Sequence, residues 1–129
     1  MKRNVYVQLE ESPSSGYISI KGAVPEANIE ESYRDLIKNG KLFGSRKKEE
    51  AFEGFKLRYI HIEVNYDGRK GIKNHDILQS LSSHNLAIKK GESMFGGFYL
   101  PTNKLKSMLE KQLSKRKELI NNNVYEVIA

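Results

Sequence analysis

The chain has 129 residues, with 22 Lys and Arg against 16 Asp and Glu, a formal net charge of +6, and neither cysteine nor tryptophan. This length fits one ordinary domain, and the lack of cysteine excludes disulfide scaffolds, thiolate metal sites and cysteine nucleophiles. The three histidines, His61, His75 and His84, do not have the spacing of a helical zinc site, and no apolar run reaches the ~18 residues that span a bilayer. Composition therefore predicts a single domain over residues 1–129, without metal, cofactor or membrane contact, and favours a cytoplasmic location.

The first predicted elements form a β-hairpin. Apolar and polar residues alternate over residues 5–9 and again over residues 17–21, which is the pattern of half-buried strands. The segment between them is polar and contains Pro13 and Gly16, so it predicts a connecting loop of about six residues.

A helix is predicted over residues 26–38. Pro25 suits the first turn of a helix, and apolar residues recur at helical spacing from Ile29 to Ile37. Asn39 and Gly40 then supply a C-terminal cap.

Two interpretations of residues 41–54 are open: a short helix capped by Ser45 and running through Phe52, or a mobile basic loop. The next segment, 57–66, alternates clearly and predicts a strand that ends at the Asp67-Gly68 turn.

The second half predicts one helix from Asn74 or Asp76 to His84, short strands over 86–88 and 98–100, and a long helix from about residue 102 to Asn121. Residues 122–129 predict a tail, in which 124–129 could also form a terminal strand. The order β-β-α-β-α-β-β-α predicts an α+β domain with a mostly antiparallel sheet and helices packed on one face.

Charge is distributed unevenly along the chain. Residues 8–35 hold six acids and two bases, whereas residues 36–129 hold 18 bases and 10 acids. Cations concentrate in residues 38–48, which contain no acid, and in the last helix. Each well-placed cation could contact one phosphate of a nucleic acid, and the alternative is that both runs are simply solvated surface.

The strand alternation provides a second indication. It places Tyr6, Tyr17 and Tyr59 on the nominally polar side of the sheet, and aromatic rings bordered by cations are typical of single-stranded nucleic-acid binding. The alternative is that these tyrosines form cross-strand pairs or lie under a second layer.

The same strand carries Tyr59, His61 and Glu63 on one side, with successive members about 6.8 Å apart. A histidine and a carboxylate at this separation could cleave RNA by general acid–base catalysis without metal. Residue types of this kind are found in metal-free endoribonucleases, although no second histidine is evident near this group in the sequence.

The primary functional prediction is a small non-enzymatic protein that binds RNA, single-stranded DNA or a ribonucleoprotein. The predicted contacts are Tyr6, Tyr17, Lys21, Lys38, Lys41, Arg46, Lys47, Lys48, Tyr59, His61, Lys104, Lys111, Lys115 and Arg116. The first alternative is a protein-interaction module such as a mobile-element inhibitor or adaptor, which the glycine-rich segment around Met94 and Phe95 would suit. The second alternative is the ribonuclease that uses His61 and Glu63.

Overall fold

A computed structural model describes residues 1–42, 47–93 and 96–121. Its strands are β1 Lys2–Glu11, β2 Ile18–Pro25, β3 Ile60–Asn65, β4 Ala87–Ser93 and β5 Gly96–Pro101. Its helices are α1 Ile29–Lys38, preceded by a 3₁₀ turn at Glu26–Asn28, then α2 Lys48–Lys56, α3 Asn74–Ser83 and α4 Asn103–Asn121. The predicted α+β class is confirmed, because an antiparallel sheet of order β2-β1-β3 and the antiparallel pair β4-β5 combine with four helices in these residues.

The hairpin of β1 and β2 contains a bulge. Gln8 pairs with Gly22 while the next residue, Leu9, pairs with Ile20, so Lys21 has no partner on β1. A bulge reverses the side to which the following residues point. Val24 therefore lies opposite Tyr6 on one side of the sheet, and Ala23 lies opposite Val7 on the other.

The first core lies on the Val5 and Val7 side of the three-stranded sheet. It joins that side to α3, to the β4-β5 pair and to the start of α4. Its buried members are Val5, Val7, Ile18, Ile60, Ile62, Val64, Ile77, Leu81, Leu86, Ala87, Tyr99 and Leu105.

The second core is smaller and mostly aromatic. Its buried members are Ile29, Leu42, Phe55 and Tyr59, and Tyr33, Phe52 and Leu119 pack against them. Tyr6 and Val24 also contact it from the other side of the sheet. The helices are thus divided, since α3 packs on the first side while α1 and α2 adjoin the second.

The segment before β3 differs from the predicted strand. Strand pairing begins at Ile60, because Arg58 and Tyr59 form a turn that ends α2, with backbone N–H groups donating to the carbonyls of Phe55 at 3.2 Å and Lys56 at 3.1 Å. Phe55 and Tyr59 are four residues apart, so a helical turn buries both rings in the second core, and this outweighs the β-type alternation.

Of the two interpretations of residues 41–54, the helix is found for Lys48–Lys56. Residues 43–46 lie outside the described part of the chain, as do the predicted tail at 122–129 and the pair Met94 and Phe95.

Helix α4 connects the two cores. Leu105 and Met108 pack in the first core and Leu119 in the second. Between them the Gln112 amide donates to the Tyr59 carbonyl at 3.0 Å. Among the described residues, no helix combines the length and the apolar character that a membrane crossing needs.

Candidate functional site

The three predicted tyrosines do not form one open face. Tyr59 is buried in the second core, where its ring lies edge-on to Phe55 at 5.5 Å and to Tyr6 at 6.3 Å. Tyr17 precedes β2 and packs its ring against Phe98 of β5 at 5.1 Å. The prediction of a shared tyrosine face is therefore wrong, because α1 and α2 cover the part of the sheet beside Tyr59.

Burial changes the acidity of two tyrosines in the second core. Desolvation raises the pKa of Tyr59, and the charge of the adjacent Arg58 offsets part of that effect. Desolvation also raises the pKa of Tyr33. Both phenols therefore keep their protons to a higher pH than an exposed tyrosine does.

Tyr6 forms a cross-strand pair that stays partly open to solvent. It lies opposite His61 on β3, and the two rings stack with centroids 4.3 Å apart and planes 13° apart. Glu26 fixes the imidazole, since its Oε1 lies 3.2 Å from the His61 Nε2 and its Oε2 accepts from Asn4 at 3.4 Å. The stacked pair forms an oriented aromatic platform beside the second core.

A shallow depression of about 240 Å³ adjoins this platform. Its polar lining is His61, Glu63, His84 and Lys104, and its apolar floor includes Met108. His84 arrives from the C-terminal end of α3, where Asn85 at φ 60° turns the chain toward β4. The depression therefore joins both predicted catalytic side chains, His61 and Glu63, to a second histidine that the sequence did not place there.

The two imidazoles have defined partners. The Nε2 of His84 lies 3.3 Å from the Glu63 carbonyl oxygen, and since a carbonyl only accepts, this nitrogen carries the proton. The Nε2 of His61 faces the Glu26 carboxylate. Among the described residues, neither ring has a hydrogen bond at its Nδ1.

Three lysines of α4 continue from the depression along one flank. Lys104, Lys111 and Lys115 are exposed and are spaced by seven and four residues, which aligns them on a helix. They span about 16 Å at the 1.5 Å rise of an α-helix. Helix α4 carries six cationic side chains against two acidic ones, and is thus a strongly basic element of the fold.

Arg116 lies elsewhere on α4. It is half-buried, and its Nε is shielded from solvent without a hydrogen-bond partner among the described residues. Its position on the helix is close to that of Gln112, which faces Tyr59. The guanidinium is therefore only partly presented to a ligand.

The other predicted cations that the structure describes are exposed but do not line the depression. Lys38 ends α1 and Lys41 follows it, while Lys47 precedes α2 and Lys48 begins it. Lys21 occupies the bulge of β2, and Arg46 lies outside the described residues. Of these elements α2 packs against α4, so Lys47 and Lys48 belong to the same half of the molecule as the end of α4.

A second basic region was missed by the sequence analysis. Arg3 stacks over the Tyr66 ring with its Cζ 5.8 Å from the ring centroid. Arg69, Lys70 and Lys73 lie in the following loop. Their proximity in sequence was a usable signal, but the pairing of the start of β1 with the end of β3 was needed to add Arg3.

No group of His, Asp and Glu side chains in the described ranges could hold a metal ion. No protein-family model, curated protein or solved structure matches the chain, so the assignment of function rests on this geometry.

Proposed function

We propose that the protein binds single-stranded nucleic acid along α4 and across the depression at its N-terminal end. The observation that carries the proposal is the lysine flank of α4, which starts at a depression lined by the exposed His61 ring. Proteins that bind single strands combine a cationic track for the phosphates with rings on which bases stack.

The positive charges of the α4 lysines are available for phosphate contacts. Lys104, Lys111 and Lys115 are exposed, and none of them lies within ion-pair distance of a carboxylate in the described residues. Lys104 donates only weakly, to the His84 carbonyl at 3.4 Å. A phosphate backbone would therefore displace solvent and counterions rather than break internal ion pairs.

The platform supplies the stacking contact. The His61 side chain is 42% exposed, while its stack on Tyr6 and its contact with Glu26 limit its rotation. A ring held in place loses little entropy when a base stacks on it. Base stacking contributes about 1–3 kcal/mol per base in such proteins.

The test uses two variants that remove equal charge from the same helix. Lys111 and Lys115 lie on the proposed flank, whereas Lys106 and Lys117 lie on another side of α4. Fluorescence anisotropy with labelled single-stranded RNA, single-stranded DNA and duplex DNA, at about 50 and 200 mM salt, measures affinity and its salt dependence.

We expect Lys111→Ala/Lys115→Ala to reduce the slope of log K against log salt by about 1.4 on single strands. Lys106→Ala/Lys117→Ala should change it far less. Equal losses in both variants, or stronger binding to duplex than to single strands, would contradict the proposal. The RNA and DNA arms decide which single strand is preferred.

A second candidate function, metal-independent RNA cleavage, is favoured by one observation: His84 shares the depression with His61, Glu63 and Lys104. In this mechanism the His84 Nδ1 takes the proton of a ribose 2′-hydroxyl, and the 2′ oxygen bonds to phosphorus as the bond to the 5′ oxygen breaks. The Nδ1–H of a protonated His61 donates its proton to the leaving 5′ oxygen, and Lys104 stabilises the charge on the phosphoryl oxygens.

Incubation of end-labelled RNA in EDTA tests this candidate. Cleavage should give 2′,3′-cyclic phosphate and 5′-hydroxyl ends and should be lost in His61→Ala and in His84→Ala. His75→Ala is the matched control, because His75 pairs with Asp76 on α3 and does not line the depression. No cleavage by the parent protein, or equal cleavage by His84→Ala, would remove the candidate while leaving the binding proposal intact.

A further inference from the structure

We infer that a cavity between β1, β2 and the β3-α3 loop binds a small anion with a flat, apolar body, of the chemical class of nucleoside monophosphates. The cavity has a volume of about 420 Å³. Sites for small organic ligands usually measure about 300–1,000 Å³ and combine apolar walls with a few polar groups. This inference does not depend on the proposed function.

The walls suit an aromatic ring. Val5 and Ile77, which are 1% and 2% exposed, line the cavity, so it reaches the surface of the first core. Ile72 and the Tyr66 ring add further apolar area. A nucleobase presents apolar faces that walls of this kind can contact.

The polar groups of the cavity suit a phosphate. Arg3 lines it with an exposed guanidinium that is held over the Tyr66 ring, and no carboxylate of the described residues lies within ion-pair distance of it. The nearby Glu26 carboxylate is engaged by His61 and Asn4. A free guanidinium supplies the planar fork that binds phosphate oxygens in pairs.

The loop that forms one wall adds positive charge. It carries Arg69, Lys70 and Lys73, and the carboxylates beside them are engaged: Asp67 accepts from the Arg69 backbone N–H at 2.9 Å and Asp76 from that of Lys73 at 2.8 Å. Gly71, with φ +74°, allows the tight turn that brings this loop to the cavity. These three cations do not line the cavity themselves, but over residues 67–76 they outnumber the two carboxylates, and this net charge favours an anion nearby.

The cavity is separate from the proposed strand-binding surface. Arg3 lies between Lys2 and Asn4 on β1 and therefore points to the opposite side of the sheet from the Tyr6 and His61 platform. Failure at one surface therefore leaves the other unaffected.

Titration of the ¹⁵N-labelled protein with AMP, GMP, CMP and UMP, each up to about 10 mM, tests the inference by amide shifts. We expect shifts at residues 3–5, 23 and 66–77. The corresponding nucleosides and inorganic phosphate should each bind at least about tenfold more weakly, because each lacks one half of the recognition.

Two variants and one control make the result decisive. Arg3→Ala should weaken binding by about tenfold or more through loss of a charged hydrogen-bond donor. Ala23→Leu should block the cavity sterically, since Ala23 is an exposed residue of its wall. Lys106→Ala on α4 should have no effect.

The parent spectrum, retained in each variant, shows that the fold is intact. The absence of shifts at residues 66–77 with all four nucleotides, unchanged affinity in Arg3→Ala, or shifts confined to α4 would each overturn the inference. Shifts confined to α4 would instead indicate phosphate binding by the lysine flank.

Discussion

The two cores of this protein differ in composition and in closure. The first contains twelve buried residues, eleven of them aliphatic, drawn mostly from the two sheets and from α3 and α4. The second contains four buried residues, and its stability depends on rings such as Tyr33 and Phe55, whose centroids lie 5.2 Å apart. Tyr33 and Phe52 in this second core remain half-buried. The first core is therefore held together by many aliphatic contacts, whereas the second core depends on a few contacts between aromatic rings.

This difference predicts unequal local stability. Regions with fewer buried apolar contacts open at lower free-energy cost than the main core. The second core should therefore open first, and it lies in the same half of the molecule as the cations of α2 and the end of α4. Four experiments test whether the two cores differ in stability in this way.

The largest effect is expected for Phe55→Ala. Phe55 is fully buried and contacts both Tyr33 and Tyr59, so its removal should lower the free energy of unfolding by about 3–5 kcal/mol. Hydrogen exchange should show loss of protection in α1 and α2 with β1 and β3 still protected. Equal loss of protection throughout the chain would show that the two cores unfold as one unit.

Leu81→Ala makes the matching change in the first core. Leu81 is fully buried on α3, and its truncation should cost about 2–5 kcal/mol in urea denaturation. Here protection against hydrogen exchange should fall in all elements together, because the rest of the fold packs on the sheet and α3. Loss of protection in α3 alone would contradict the proposal that the second core opens before the first.

Gln112→Ala cuts the contact between the cores. The variant leaves the part-buried Tyr59 carbonyl without its donor, which should cost about 1–3 kcal/mol. Lys111→Ala is the control and should stay within about 0.5 kcal/mol of the parent, since Lys111 is exposed. If Lys111→Ala lowers the free energy of unfolding by as much, the loss arises from substitution in α4 in general and not from this hydrogen bond.

The smallest expected effect is the loss of folding stability at alkaline pH. Burial raises the pKa of Tyr59 and Tyr33 above their ordinary value of 10.0, so the folded state holds these protons more tightly than the unfolded state. Their contribution is complete below pH 10 and is lost as the pH rises through the folded pKa. Tyr59→Phe should lose less stability than the parent between pH 9 and 11, and equal losses in the two proteins would contradict this origin.

Much of the fold could be predicted from local pattern. The alternation around Val5 and Val7 identifies the side of β1 that packs in a core. The helical spacing from Leu105 to Leu119 does the same for α4. Tyr59 could not be placed in this way, because its surroundings are set by α1 and α2 and not by its own neighbours. Strand β2 also continues to Pro25, beyond the predicted strand over 17–21, and the bulge at Lys21 reverses the side to which these later residues point.

The candidate site was only half predictable. His61 and Glu63 lie on one strand, so the alternation of the sequence predicts that they share a side of it. The spacing of the lysines in α4 likewise predicts that several of them share one side of the helix. His84 joins them through the path of the chain between α3 and β4, which no local pattern encodes. Arg3 and Tyr66 likewise meet only because the start of β1 pairs with the end of β3, which comes much later in the sequence.

The outer edge of β3 has a consequence for how the protein behaves at high concentration. Side chains engage two of its backbone groups and one just before it: His84 the Glu63 carbonyl, Ser80 the Asn65 N–H at 3.4 Å, and Gln112 the carbonyl of the preceding Tyr59. A strand from another molecule would have to displace these side chains before it could extend the sheet here, and side-chain caps of this kind discourage intermolecular β-pairing. The His84 and Gln112 hydrogen bonds therefore make edge-to-edge pairing of neighbouring copies less favourable at this edge.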